Sequence, residues 1–282
     1  RLVGESPRIE SLAFSPDGKL LAVSGGAPAL FGEIQIWNVA DKSLVRSVKI
    51  STDSLYGVSF SPDATRLAFG CADKTVRMIS VGEGKEVLRF DNHSDWVLST
   101  TFTLDGKRLL TGGRDKAMKL IDASNGQFID DINKLLEGVL CLARHPKKDE
   151  VAYGGDLGTP RIYKISDNQG RTAANNDVNL IKEFERQPGP VQTIAYSPDG
   201  EIIALGGPSS EVRLYKLDGK RATTLKGHHG AIFSIAFHPS KKEVVTGGYD
   251  GKVRLYESES GRLITTFVPV PIKPIQQASL TK

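Results

Sequence analysis

The stretch Phe60-Ser-Pro-Asp-Ala64 is followed by Val76-Arg-Met-Ile79, whose last residue lies 19 positions after Phe60, and this pair recurs along the chain. The first stretch returns as Phe14-Ser-Pro-Asp-Gly18, Phe102-Thr-Leu-Asp-Gly106, Tyr196-Ser-Pro-Asp-Gly200, Phe237-His-Pro239 and, in degenerate form, Ala143-Arg-His-Pro146. The second returns as Ile34-Gln-Ile-Trp37, Met118-Lys-Leu-Ile121, Arg161-Ile-Tyr163, Val212-Arg-Leu-Tyr215 and Val253-Arg-Leu-Tyr256. Successive copies of the second stretch end 42, 42, 42, 52 and 41 positions apart, which indicates six copies of one structural unit.

Each unit has the pattern of four short β-strands. In the sixth copy, the runs are Ile232-Phe-Ser-Ile-Ala-Phe237, Glu243-Val-Val-Thr246, Lys252-Val-Arg-Leu-Tyr256 and Arg262-Leu-Ile-Thr-Thr-Phe267, separated by turn residues. Such a small sheet cannot bury both of its faces alone. Successive units must therefore stack, and a ring leaves no long apolar edge open.

These residues resemble those of the WD40-repeat family of β-propellers, and the resemblance covers essentially the whole chain. Loosely, the chain also resembles bacterial WD40 domains found in larger multidomain proteins. In the family, a Gly-His dipeptide, a Ser or Thr, a turn Asp and a Trp-Asp pair mark each repeat, and the sixth copy has Tyr256-Glu257 at the last position. The resemblance implies an all-β propeller in which the following residues form stabilising hydrogen bonds: His93, Thr111 and Asp115 in the third copy, and His228, Thr246 and Asp250 in the sixth.

The repeat boundaries predict a single propeller domain over residues 1–282. The expected blades are about 8–50, 54–90, 96–132, 137–186, 190–226 and 231–268. Ile275-Gln-Gln-Ala-Ser-Leu280 aligns with 232–237 at a spacing of 43, and Arg1-Leu2-Val3 aligns with the end of an outer strand. We therefore expect six complete blades and fragments of a seventh at 1–3 and 275–281, from an imperfectly closed ring or from a longer polypeptide.

The composition is that of an ordinary soluble globular chain, with 39 % hydrophobic and 25 % charged residues. No apolar run approaches 18 residues, so we expect no membrane span, and the compartment, cytoplasmic or periplasmic, stays open. The two cysteines, Cys71 and Cys141, exclude a disulfide framework and a Cys-rich metal site.

No pattern typical of catalysis occurs in the sequence. The five histidines lack metal-ligand spacing, and the motifs GxGxxG, GxxxxGK[ST] and GxSxG are absent. The recurring Asp17, Asp63, Asp105 and Asp199 occupy turns, where an Asp side chain caps the backbone. We therefore predict a protein that is not an enzyme and that needs no cofactor or metal.

One basic position recurs in five copies, as Arg77, Lys119, Arg161, Arg213 and Arg254. A ring of like charge would suggest nucleic acid as a partner, and the net charge is +4. The alternative is that each aliphatic stem packs between blades while the charged head reaches water. We favour the alternative and do not expect nucleic acid as a partner.

A candidate binding surface follows from the repeat register. The position before each inner strand, the position two residues later and the position before the turn Asp should meet at one mouth of the ring. They carry Ser54, Tyr56, Trp96, Leu98, Arg114, Phe233 and Tyr249. Aromatic residues with an Arg are typical of an interaction hot spot. The alternative is that Trp96 and Phe233 only cover the mouth of the propeller.

Two functions remain open from the sequence. The preferred one is a non-enzymatic scaffold that binds a protein or peptide on this rim. The alternative is an accessory propeller domain of a larger enzyme or of an electron-transfer protein linked to c-type cytochromes, although no haem-attachment motif occurs in these residues.

Overall fold

Short β-strands joined by tight turns form a series of antiparallel sheets that pack against each other. The computed structural model describes residue 2 and residues 4–133, 136–165 and 177–269. These residues form six four-stranded sheets, and in each sheet the strands are neighbours in chain order. The sheets are numbered here as blades 1 to 6.

The strand bounds are as follows. Blade 1 contains β1 (Arg8–Phe14), β2 (Leu20–Ala27), β3 (Phe31–Asn38) and β4 (Leu44–Ser51). Blade 2 contains β5 (Leu55–Phe60), β6 (Arg66–Cys71), β7 (Val76–Ser80) and β8 (Glu86–Phe90). Blade 3 contains β9 (Val97–Phe102), β10 (Arg108–Gly113), β11 (Met118–Asp122) and β12 (Phe128–Asp131). Blade 4 contains β13 (Val139–Arg144), β14 (Glu150–Gly155), β15 (Arg161–Lys164) and β16 (Leu180–Glu183). Blade 5 contains β17 (Thr193–Tyr196), β18 (Ile202–Gly206), β19 (Val212–Lys216) and β20 (Arg221–Leu225). Blade 6 contains β21 (Ile232–Phe237), β22 (Glu243–Gly248), β23 (Val253–Glu257) and β24 (Leu263–Phe267).

The recurring aspartates cap the hairpins between the first and second strands, as predicted. Ser15 Oγ donates to Asp17 Oδ1 at 2.6 Å, and the Lys19 amide donates to the same oxygen at 3.1 Å. Equivalent pairs of bonds surround Asp63, Asp105 and Asp199. In blade 4 the imidazole of His145 replaces this cap, because its Nδ1 accepts the amides of Lys147 and Lys148. The carboxylates are thus explained by turn geometry.

The hydrophobic core lies between successive blades. Leu55, Val58 and Phe60 of β5 pack against Ala22, Ile34 and Ile36 of blade 1 in one cluster. Equivalent clusters join blade 2 to blade 3 and so on to blade 6. Each inner strand therefore covers the sheet that precedes it in the chain.

The predicted seventh blade falls mostly outside the described residues. Residues 1, 3 and 275–281 are not among them, and Leu2 is not part of a strand. The seventh blade therefore stays a prediction. Within the described ranges, the chain contains no helix with the length and apolar character needed to cross a membrane.

Candidate functional site

Four of the predicted rim residues lie together where blades 2 and 3 meet. The rings of Tyr56 and Trp96 are stacked, with centroids 6.0 Å apart and planes inclined by 16°. The Arg114 guanidinium carbon lies 4.9 Å from the centroid of the Trp96 ring, which is within the range of a cation–π contact. Leu98 follows on β9 and is half-buried. These four residues are called the aromatic cluster.

Backbone geometry brings the cluster together. The Arg114 amide donates to the Trp96 carbonyl at 2.9 Å, and this bond fixes the end of β10 beside the start of β9. Gly57 has a φ of +51°, and a Cβ at this position would lie 2.4 Å from Ser99 Cα and 2.5 Å from the Leu98 carbonyl oxygen. Only glycine allows β5 to approach β9 this closely, and Tyr56 reaches Trp96 for this reason.

The cluster combines an apolar face with charge and a hydrogen-bond donor. Trp96 is 38 % exposed, Tyr56 is half-buried, and Arg114 is exposed. Within the described part of the chain, the Arg114 guanidinium has no carboxylate partner. Burial, together with the negative charge of Glu10, raises the pKa of Tyr56, so its hydroxyl stays protonated. A ligand would therefore meet an indole face, a phenol donor and an unpaired cation.

Phe233 and Tyr249 occupy the same register in blade 6 but do not join the aromatic cluster. Phe233 is 53 % exposed and Tyr249 is 77 % exposed. The Tyr249 amide donates to the Ala231 carbonyl at 2.8 Å, in parallel with the Arg114 bond in blade 3. Blades 4 and 5 lie between the two groups, and no ring contact among the described residues connects them. The predicted rim is therefore two separate groups of exposed side chains.

Leu140 of blade 4 belongs to the same surface and was missed by the sequence reasoning. It is half-buried and lies four positions before Arg144, as Tyr56 lies before Phe60 and Leu98 before Phe102. The repeat register alone could have identified it. Blades 2 to 4 thus present consecutive apolar side chains at this position, whereas Glu10 and Gln192 occupy it in blades 1 and 5. Ser54, in register with Trp96, is buried and offers no surface.

The histidines of blades 3 and 6 are buried in hydrogen-bonded networks. His93 lies 2.8 Å from Asp115 through Nδ1 and 2.7 Å from Thr111 through Nε2. Burial opposes ionisation of Asp115, but the bond from His93 and two backbone amides keep the pKa of this carboxyl below its ordinary value. These groups face the protein interior, so the structure gives them a role in tying the turn to the strands.

His228 lies beside the corresponding residues of blade 6, but it is the opposite tautomer of His93. Its Nε2 lies 2.8 Å from Thr246 Oγ1 and its Nδ1 lies 3.1 Å from Asp250 Oδ1, but Nδ1 also lies 2.6 Å from Arg254 Nη1. A guanidinium has only donors, so Nδ1 must accept and the proton must sit on Nε2. Arg254 also pairs with Asp250 at 2.7 Å, which lowers the pKa of that carboxyl far below its ordinary value although burial opposes this.

The recurring basic residues are paired inside the protein, so the expectation that their heads reach water was wrong. Arg77 bonds Asp73 at 2.6 Å, Lys119 bonds Asp131 at 3.1 Å, and the side chains of both are about 10 % exposed. Arg161 bonds Glu137 at 2.6 Å, Arg254 bonds Asp250, and Arg213 donates to Gln187 at 3.0 Å. In blades 2 to 6 the basic residue thus has a carboxylate or amide partner within its blade or in the loop that precedes it. These heads therefore form no exposed ring of positive charge for nucleic acid.

The two cysteine thiols are not activated by their surroundings. Burial raises the pKa of the Cys71 thiol to about 11 and of the Cys141 thiol to about 12, so neither is a thiolate at neutral pH. Over the described ranges, no group of three or more His, Cys, Asp and Glu side chains is arranged to hold a metal ion.

Three relatives illustrate what the chain resembles. It is 26 % identical over 239 residues to a WD repeat-containing protein 91 homolog of Dictyostelium discoideum, covering 76 % of this chain and 28 % of the relative. It is 32 % identical over 90 residues to Protein groucho of Drosophila melanogaster, covering 32 % of this chain and 12 % of the relative. It is 22 % identical over 221 residues to an intraflagellar transport protein 122 homolog of Danio rerio, covering 76 % of this chain and 17 % of the relative.

The matched part of the chain thus spans between 12 % and 28 % of the length of these relatives. One of the three is named as a WD repeat-containing protein, and none of the three names mentions electron transfer. A family model described as "Nucleolar protein 10-like, N-terminal domain" matches residues 7–280. With six four-stranded blades and this match over nearly its whole length, the chain belongs to the Nucleolar protein 10-like N-terminal domain family and is a WD40-type β-propeller.

Proposed function

We propose that this chain is a non-enzymatic scaffold that binds a protein or peptide partner through the aromatic cluster. The observation that carries the proposal is the stack of Tyr56 and Trp96 with Arg114 over the indole. Aromatic rings that lie side by side on a surface leave a large apolar area in contact with water, which is unfavourable. A partner that covers the rings removes this area from water. Tyr, Trp and Arg are also the residues that most often dominate binding energy at protein interfaces.

The chemistry of the cluster favours a partner segment with an apolar side chain next to a carboxylate or a carbonyl. The apolar side chain would lie on Trp96 and Leu98, which continue towards Leu140. The acceptor group would take the unpaired Arg114 guanidinium, whose planar donors suit a carboxylate. The more exposed Phe233 and Tyr249 form a second contact region only for a partner large enough to span two blades.

Binding through the cluster predicts a large loss of affinity when Trp96 is removed. The wild-type chain and the Trp96→Ala variant are immobilised, and each is used to capture proteins from the native source. Quantitative mass spectrometry compares what the two chains retain. The dissociation constant of the recovered partner is then measured for both chains. Trp96→Ala should weaken binding by about 2 kcal/mol, which is roughly thirtyfold in affinity.

Two controls define which surface is used. Phe233→Ala removes a more exposed aromatic ring outside the aromatic cluster, and Lys241→Ala alters the hairpin between β21 and β22. Neither should change the affinity by more than about twofold for a peptide-sized partner. If Trp96→Ala binds the partner unchanged while Lys241→Ala or Asp17→Ala loses it, the functional face is the opposite one.

A further inference from the structure

Blade 5 differs from the neighbouring blades in the partner of its recurring basic residue. Arg213 Nη1 donates to the side-chain amide oxygen of Gln187 at 3.0 Å, and this oxygen carries no charge. The Nε of Arg213 is buried and has no hydrogen-bond partner among the described residues, which is unfavourable for a charged donor. In blades 2, 3, 4 and 6 the basic head bonds a carboxylate, in the pairs Arg77–Asp73, Lys119–Asp131, Arg161–Glu137 and Arg254–Asp250. Blade 5 thus holds a half-buried cation without a bonded carboxylate in the described part of the chain.

Ser209 occupies the position at which blades 2 and 6 carry that carboxylate. It lies in the turn between β18 and β19, four positions before Arg213. In blades 2 and 6 the residue four positions before the Arg is the turn Asp. Asp73 and Asp250 lie 2.6 Å and 2.7 Å from the guanidinium nitrogens of their own blades. The geometry of this turn therefore brings a side chain at the position of Ser209 towards the guanidinium.

The Ser209 hydroxyl does not replace the carboxylate. Its Oγ donates to the Glu211 carbonyl at 3.2 Å and carries no charge. The carboxylates of Glu211 and Glu185 already have cationic partners, Lys226 at 3.6 Å and Arg221 at 2.7 Å. Blade 5 therefore has a cation and a hydroxyl where blade 6 has an ion pair.

The turn that carries Ser209 is accessible from solvent. Pro208 and Ser210 are exposed, and Ser209 is half-buried. Residues 207–211 belong to no strand. The Ser210 hydroxyl accepts the Gly230 amide at 3.3 Å, so the turn lies beside the loop that precedes β21. An enzyme can reach the Ser209 hydroxyl without separating any strands of the sheet.

We propose that Ser209 is a phosphorylation site and that its phosphate takes the place of the missing carboxylate on Arg213. A phosphoserine carries a charge of about −1.5 to −2 at pH 7 and three acceptor oxygens. The planar donors of a guanidinium suit such an oxyanion, and a phosphate opposite an Arg forms charge-assisted hydrogen bonds. The modification therefore supplies the turn of blade 5 with the ion pair that Asp250 supplies in blade 6.

The reaction is a phosphoryl transfer from ATP by a protein kinase. The Ser209 oxygen forms a bond to the γ-phosphorus, and the bond from that phosphorus to the leaving oxygen of ADP breaks. The hydroxyl proton passes to a base of the kinase. Pro208 has the register of Arg114 and Tyr249, so the new negative charge lies on the same side of the ring as the aromatic cluster.

Phosphorylation of the chain 1–282 in an extract of the native source, with magnesium and ATP added, tests whether the site is used. Tandem mass spectrometry of the tryptic peptide 187–213 should place a phosphate on Ser209. The phosphate should be lost in Ser209→Ala and kept in Ser210→Ala, which removes the exposed neighbouring hydroxyl.

The pairing with Arg213 is tested on chains made with phosphoserine inserted during translation. A phosphate on Ser209 should raise the melting temperature by about 3 °C or more, whereas a phosphate on Ser210 should change it by less than about 1 °C. The gain should vanish in the Arg213→Gln variant. In ³¹P NMR, the phosphate on Ser209 should titrate at least about 0.5 pH unit below the phosphate on Ser210, because the guanidinium favours the dianion.

A simpler pair of variants checks the same geometry without a phosphate. Ser209→Asp should raise the melting temperature by about 2 °C, and the neutral Ser209→Asn should not. The proposal is overturned if the extract leaves Ser209 unmodified. It is equally overturned if phosphates on Ser209 and Ser210 have the same effect on melting, or if the gain from Ser209 persists in Arg213→Gln.

Discussion

At the scale of single residues, His228 connects the stability of blade 6 to pH. Burial lowers the pKa of His228 below its ordinary 6.5, and the positive charge of Arg254 acts in the same direction, whereas the negative charge of Asp250 opposes it. Burial lowers the pKa of His145 likewise. In the unfolded chain both imidazoles return to ordinary values. Between the native and the unfolded pKa, the unfolded state therefore binds more protons than the folded state.

The sign of this linkage gives a prediction. The free energy of unfolding should be constant with respect to these groups above pH about 7.5, where the imidazoles are neutral in both states, and should fall as the pH is lowered from about 7 to 5. His228→Gln should reduce the slope over this range, since one of the two imidazoles no longer titrates. Urea denaturation at a series of pH values measures the slope.

The neighbouring His229 provides the matched control for this measurement. Its side chain is exposed, and only its backbone amide bonds Asp250, at 3.2 Å. His229→Gln should keep the wild-type slope. Equal slopes for wild type and His228→Gln would show that His228 does not titrate below its ordinary pKa.

At the scale of strands and turns, glycine has two different uses in this chain. Gly18 and Gly57 both have positive φ, at +71° and +51°. A Cβ at Gly18 would meet no atom within 4 Å, so this glycine serves only the turn. A Cβ at Gly57 would collide with the backbone of Leu98 and Ser99, so this glycine also permits the close contact of β5 with β9.

The two substitutions to alanine should therefore differ in cost. Gly18→Ala should destabilise the fold by about 1 kcal/mol through backbone strain alone. Gly57→Ala adds a steric clash and should cost clearly more, about 2–4 kcal/mol, because β5 and β9 must separate. Chemical denaturation gives both values, and equal costs would mean that the approach of the two strands adjusts freely.

In blade 4, a different hydrogen-bond network holds the turn before the third strand. It lacks the His and the turn Asp of blades 3 and 6, and Leu157 stands at the Asp position. Glu137 supplies the carboxylate instead: Oε2 accepts the Leu157 amide at 2.7 Å, and Oε1 accepts Arg161 at 2.6 Å. Tyr153 bonds the same Arg at 2.6 Å. The turn is thus held by a residue from the preceding loop.

At the scale of the whole molecule, the stack has covered positions in its middle and open positions at its ends. Leu12 and Val58 occupy the same register in β1 and β5, but they are 60 % and 6 % exposed. The difference comes from the neighbouring blade, because Val58 packs on blade 1 and Leu12 has no equivalent cover among the described residues.

An aspartate at these two positions should report this asymmetry. Val58→Asp buries an unpaired carboxylate and should cost more than about 3 kcal/mol, whereas Leu12→Asp should cost less than about 1 kcal/mol. The melting temperatures of the two variants, measured at one pH and one concentration, check the difference. Similar losses would indicate that another sheet covers Ile9, Leu12 and Phe14.

The sequence alone was sufficient for the fold and for the local turn chemistry. The spacing of Phe60-Ser-Pro-Asp-Ala64 and its copies predicted six four-stranded blades, because strand alternation and turn residues act over a few neighbours. Asp17, Asp63, Asp105 and Asp199 could be assigned to turns for the same reason. The contacts of Trp96 with Tyr56 and Arg114 were partly predictable, since register places equivalent positions of adjacent blades side by side.

Only the tertiary structure decided the remaining features, because they depend on distances between elements rather than on spacing within one. It placed Arg77 on Asp73 and Arg161 on Glu137, so these two charges are neutralised inside the protein. It also separated Phe233 and Tyr249 from the aromatic cluster by two blades. Residues at the same register position lie at the same level of their blades, but they are close to each other only when the blades are neighbours. The burial of a strand likewise depends on the blade beside it. Phe14 and Phe60 therefore share a motif and differ completely in exposure.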